Sequence, residues 1–139
     1  MQTLGKGQKF IKSPKNQVNW IPAPDVKVRV KDLLEKLENT SFDASRIFCF
    51  RSENTNTRAI ARIWGLSRIW QQALDVKPAY SLEVISEKFD RMGKRQQDEV
   101  LLHELAHIPN NFSGALVPHI RRGKRNFYTK VKGMIKLSL

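Results

Sequence analysis

The sequence predicts an α+β domain: a small mixed sheet, an N-terminal helix backing it, and a later helix with one polar face. Three observations carry this prediction. Apolar residues recur at helical spacing over 26–38. Three short runs rich in β-branched and aromatic residues follow, and a second helical segment at about 94–108 runs into Pro109.

Taken in order, residues 1–24 read as an extended basic arm ending in the proline-spaced WIPAPD. Asp25 is a plausible N-cap for the helix in which Val26, Val30, Leu33, Leu34 and Leu37 form one stripe, and Asn39 can close it. RIFCFR, residues 46–51, favours a strand with Cys49 buried, and the polar SENTNT behind it is a turn. RAIARIWGLSRIWQQAL repeats RIW across Gly65, which predicts a strand over 58–64, a turn at the glycine, and a strand or short helix over 67–74. Trp64 and Trp70 are assigned to core or rim packing. AYSLEVIS, 79–86, alternates as a strand. The 94–108 helix stops at Pro109 because the proline ring cannot continue it.

The net charge of +12 is concentrated at the ends. Lys6, Lys9, Lys12 and Lys15 lie near the N-terminus with no acid among the first twenty residues, and residues 120–139 add seven basic residues and again no acid. This divides the chain into a basic arm, 1–24, a nearly neutral domain, 25–120, and a basic extension, 121–139. Lys6, Lys9, Lys12, Lys15, Arg121, Arg122, Lys124 and Arg125 are therefore candidate contacts for nucleic acid or another polyanion. Aromatics are sparse in these ends, so phosphate contact is the stronger inference and base stacking the weaker one. A lone cysteine, Cys49, allows no internal disulfide, and no apolar run approaches the ~18 residues that span a bilayer. With no signal-peptide pattern, the cytoplasm is the expected location.

All three histidines fall in HELAHIPNNFSGALVPH, 103–119. On a helix at ~100° per residue, His103 and His107 lie ~40° apart and one turn above each other, where both can reach one cation. Glu104 sits ~60° beyond His107 on the same side, placed to act on a metal-held water without ligating the ion. Leu101, Leu105 and Ile108 point the other way, into the core. Asp98 and Glu99 suit the positive end of the helix dipole. NNFSGA then supplies turn residues that let His119 return as third ligand. Asp90, and more weakly Glu83 or Glu87, are alternatives for that place. Three imidazoles leave one tetrahedral position open, as a catalytic Zn²⁺ requires.

Over most of 45–125 the chain resembles the small metallopeptidases of phages and mobile elements, which are of the zincin type. The carriers are RAIARIWGLSRIW at 58–70, YSLEVI, the FD before the helix, and HELAHIP followed by FSGALVPH. The resemblance implies a zincin-like layer of helix and small sheet behind the active-site helix. It implies paired ligands at His103 and His107, a general base at Glu104, and a third ligand at His119. A looser resemblance is to SprT-like proteases, from which PHIRRGKRNF and the lack of downstream cysteines depart. The metzincin pattern of a glycine and histidine close behind the second ligand is absent.

The function expected is zinc-dependent hydrolysis of peptide bonds in a protein or peptide substrate. Tyr80, Tyr128 and Arg121 are candidate donors to an oxyanion, and strand 58–64 could hold an extended peptide by strand addition. The rival from another class is a nucleic-acid-binding protein with a structural or vestigial metal. A protease recruited to proteins on nucleic acid joins the two, and a non-proteolytic hydrolase is a third reading.

Overall fold

The computed structural model describes residues 17–119 and 126–139. Its sheet has four strands: β1, Asn19–Pro22; β2, Ile47–Glu53; β3, Ala61–Gly65; and β4, Tyr80–Ile85, in the order β1-β2-β4-β3. β2 and β4 are parallel, with Cys49 opposite Leu82, while β1 on β2 and β3 on β4 are antiparallel, with Trp20 opposite Ser52 and Ile63 opposite Leu82. The sheet is mixed, and β3 is one of its edges. The arm expected over 1–24 thus ends in a paired strand, where the backbone of WIP finds partners on β2 that a free arm would have to take from water.

Pleat alternation gives the sheet two unlike faces. Ile47, Cys49, Leu82, Val84 and Ala61 face inward and are buried. They pack against Val26, Val30, Leu33 and Leu34 of α1, Pro24–Lys36, and against Leu101, Leu102 and Leu105 of α4, Lys94–Leu105. The other face is largely open.

Several expected local features take a different form. Pro24 occupies the first turn of α1 and Ala23 the N-cap position without a side-chain bond. Asp25 is a first-turn acid instead, held by both Nη atoms of Arg51 at 2.6 and 2.8 Å. At the other end Glu38 takes φ +53°, its N–H reaches the Glu35 carbonyl, and the Asn39 N–H reaches Leu34. That is a Schellman closure with glutamate in the place glycine usually fills. Residues 68–74 form helix α2, Arg68–Leu74, and Ser86–Phe89 makes the single turn α3. Arg29 of α1 locks the start of α4: it donates to Gln97 Oε1 at 2.6 Å, to the Lys94 carbonyl at 3.0 Å, and to the buried Asp98. Asp98 therefore serves an inter-helix ion pair and not the helix dipole.

The C-terminal segment is also structured. Asn126 caps α5, Phe127–Ser138, by accepting from the Thr129 N–H at 2.8 Å. Phe127, Val131 and Ser138 are buried along one face, which closes over α4. The basic extension placed at 121–139 is, over this part, a packed helix. No helix among the described residues is long and apolar enough to cross a membrane.

Candidate metal centre

α4 ends at Leu105, earlier than the proline alone predicts. Pro109 disfavours helical backbone at the residue before it, and the chain tightens first: the His107 N–H bonds back to Glu104 and that of Ile108 to Leu105, each three residues away. His107 thus sits in a closing turn, with its ring 5.3 Å from that of His103.

The return path to His119 depends on a close crossing of two backbones. Gly114 has φ +95°, a conformation that penalises a side chain. A Cβ on Gly65 would meet the Gly114 carbonyl oxygen at 2.1 Å, and one on Gly114 would meet the Leu66 oxygen at 2.2 Å. Gly65, read as a turn, is therefore the last residue of β3, and its bareness admits the returning loop. Tyr80 Oη accepts from the Gly114 N–H at 2.8 Å and donates to the Ala115 carbonyl at 2.7 Å. Gln71 of α2 donates to the carbonyls of Ser113 and Leu66. Buried and doubly engaged, Tyr80 organises the loop and is not free to stabilise an oxyanion.

At the end of this loop the three imidazoles converge. One nitrogen from each of His103, His107 and His119 lies within 4.8 Å of the others, and His103 Nε2 is 3.1 Å from His119 Nε2. At the usual metal–imidazole length of ~2.0–2.1 Å, two ligands of one tetrahedral ion lie roughly 3.3 Å apart, so this donor set fits a single divalent metal. His107 Nδ1 is 2.5 Å from the Val117 carbonyl. A carbonyl only accepts, so Nδ1 carries the proton and Nε2 is left as a lone-pair donor. Burial, with His107 and His119 nearby, pushes His103 down to about 4, and burial also lowers His107. Both are therefore neutral, the form that ligates, at ordinary pH.

Glu104 Oε2 lies 3.9 Å from His103 Nε2, and burial raises its carboxyl to about 8. With the histidines it lines a cavity of about 830 Å³, whose other wall includes Ala61, Ile63 and Trp64 of β3. Phe127 of α5 covers the three imidazoles. Its ring stacks on His107 at 4.2 Å and meets His103 and His119 edge-on at 4.9 and 4.8 Å. Tyr128 stacks near His119 at 5.9 Å.

The alternative third ligands lie elsewhere. Asp90 pairs with Arg51, and Glu83 is bound by Arg62, Trp20 and Trp64. Glu87 accepts from the Asn54 N–H. Lys6, Lys9, Lys12, Lys15, Arg121, Arg122, Lys124 and Arg125 lie outside the described residues. Two contributors went unread in the sequence. Val117 fixes the His107 tautomer through its carbonyl, which no side-chain pattern signals. Phe127 was signalled, because FYTKVKGMIKLS has apolar residues at helical spacing behind an Asn cap, but its charge drew the reading away from packing.

No curated protein and no solved structure matches the chain. A family model described as "Putative phage metallopeptidase" matches residues 18–136, a span running from β1 through most of α5. That span includes the converging histidines, the edge strand beside them and the helix that covers them, and the chain belongs to this phage metallopeptidase family.

Proposed function

We propose that the protein is a zinc-dependent peptidase of zincin type, in which Glu104 is the general base and β3 holds the substrate. The observation that carries this reading is the cavity, which sets three converging imidazoles, one buried carboxyl and a sheet edge around the same space. Bound at the imidazoles, zinc would supply a Lewis acid that acidifies water and polarises a carbonyl, and its charge would favour the ionised form of Glu104.

The chain's own residues do the rest. Glu104, ionised, accepts a proton from the attacking water and returns it to the leaving amine. Its burial suits a base that must work near neutral pH, because a carboxyl at about 8 holds a proton more strongly than one in water. β3 is paired with β4 on one side only, so its outer backbone groups can pair with an extended peptide. This edge favours a peptide substrate over a small ester or amide. Ala59, Ile60, Val100, Leu116 and Ile135 make the cavity wall largely apolar, which suits uncharged side chains near the scissile bond.

Hydrolysis of an unstructured protein substrate by zinc-loaded protein tests the proposal. Glu104→Gln should retain zinc and lose about 10²- to 10⁴-fold in kcat, the usual contribution of a general base. Unchanged turnover in that variant would remove Glu104 from the mechanism.

A further inference from the structure

The sheet face turned away from α1 and α4 carries a second built site. Its strand residues include Trp20 on β1, Phe48 and Phe50 on β2, Ser81 and Glu83 on β4, and Arg62 and Trp64 on β3. Trp20 and Trp64 are about half exposed, at 54% and 50%, although both stand on strands within one domain. Beneath them Glu83 is 1% exposed. It accepts from Trp20 Nε1 at 3.2 Å, from Trp64 Nε1 at 2.9 Å, and from Nε and Nη2 of Arg62 at 3.0 Å each. One buried carboxylate thus pins two indoles and a guanidinium by their polar edges. Between the rings lies a cleft of about 480 Å³ lined by Trp20, Phe50, Trp64, Ser81 and Glu83.

Rings held this way present π-faces at low entropic cost, since their side chains are already ordered. The positive charge on the face is arranged around the same rings. The Arg62 guanidinium lies 5.3 Å from the Trp64 ring centroid and that of Arg46 5.9 Å from Phe48. Glu83, the one acid among the strand residues of this face, is neutralised by Arg62. Lys6, Lys9, Lys12 and Lys15, with no acid among them, directly precede the strand that carries Trp20, in a chain of net charge +12. A ligand matched to this surface has flat apolar rings joined by negative charge. Unpaired nucleotides have both, whereas a duplex hides its base faces in the stack.

We propose that this face binds single-stranded nucleic acid, with bases stacked on Trp20, Phe50 and Trp64 and phosphates met by Arg46 and Arg62. The site opens on the opposite face of the sheet from the histidines and shares Arg62 and Trp64 with the rim of their cavity, and its test does not depend on catalysis. Binding of a short fluorescent oligothymidylate to the full chain, followed by anisotropy and by quenching of tryptophan emission, measures it. Trp20→Ala and Trp64→Ala should each weaken binding on the order of tenfold or more, with little change in salt dependence, while Trp20→Tyr keeps most of the affinity. Trp20→Ala should leave zinc affinity unaltered, which shows that the fold is retained. A duplex of equal length should bind more weakly. The proposal is overturned if both alanine variants bind like the parent or if duplex binds as tightly as single strand. It is also overturned if sedimentation shows that the rings are buried between two copies of the chain, with Trp20→Ala dissociating them.

Discussion

Burial acts in opposite senses on neighbouring groups at the metal centre. It lowers His103 to about 4 from an ordinary imidazole value of 6.5, and raises Glu104 to about 8 from 4.5. In metal-free protein the unfolded chain therefore binds the histidine proton first as pH falls, and stability contributed by neutral His103 is lost between about 6.5 and 4. The folded chain keeps the glutamate proton longer as pH rises, so stability contributed by neutral Glu104 is lost between about 4.5 and 8. Thermal melts of metal-free protein should show Tm declining on the alkaline side across that window, and Glu104→Gln should remove the decline, a difference of a few kcal/mol at most. An alkaline limb of unchanged depth in the variant would place the titrating group elsewhere. The clustering of the histidines was legible at this scale because H-E-x-x-H states its own geometry on a helix, and the turn residues of NNFSGA allow His119 to return to the same place. The Val117 carbonyl was not legible, because every residue has a carbonyl and only the fold aims one at a ring.

Elements supply what residues cannot, the approach of parts distant in sequence. The crossing of β3 with the return loop depends on Gly65 and Gly114 together. Gly114→Ala should be the more damaging change, since it meets backbone and also imposes φ +95° on a residue with a Cβ. A loss of about 2 kcal/mol or more in denaturant unfolding, with weakened metal binding, is expected. Phe127→Ala should cost roughly 3–5 kcal/mol, as deletion of a fully buried ring does, and should also loosen His107, on which that ring stacks. Chemical denaturation and metal titration on the same variant separate the two effects. Most elements were legible from periodicity, including α1, β2, β4 and the core of α4. β1 was missed because four strand residues bounded by prolines look like linker until a partner pairs with them. α5 was missed because its exposed lysines were read as charge rather than as the outer face of an amphipathic helix. The tryptophans of the RIW repeat were assigned to core or rim packing; both stand outside the core, and hydrogen bonding of Trp64 to Glu83 explains why a large indole can stay at the surface.

At the scale of the whole molecule, one sheet separates two kinds of surface. Its inner face supports α1 and α4 and, at its β3 edge, the metal cavity. Its outer face carries the aromatic cleft, so a peptidase and a nucleic-acid contact can share one small domain without competing for residues beyond the shared Arg62 and Trp64. If both proposals hold, substrate would be protein presented on or near single strands. Deleting residues 1–16 should then flatten the salt dependence of oligonucleotide binding, each lost phosphate contact removing about 0.7 from the logarithmic slope. The same deletion should leave hydrolysis of a free peptide unchanged. An unaltered slope would show that these lysines do not meet phosphate. The α+β class was open to sequence reading, whereas the strand order was not, because β3 inserts between the parallel neighbours in the chain but lies outside them in the sheet.

The claim on which the catalytic account stands is that His103, His107 and His119 bind one ion together. Competition titration of purified protein with a zinc-binding indicator, beside the three single alanine variants, tests it most directly. The account predicts one zinc per chain and a loss of affinity of more than about 100-fold in each variant, His119→Ala included. Zinc held by His119→Ala with the parent's affinity and stoichiometry would contradict it.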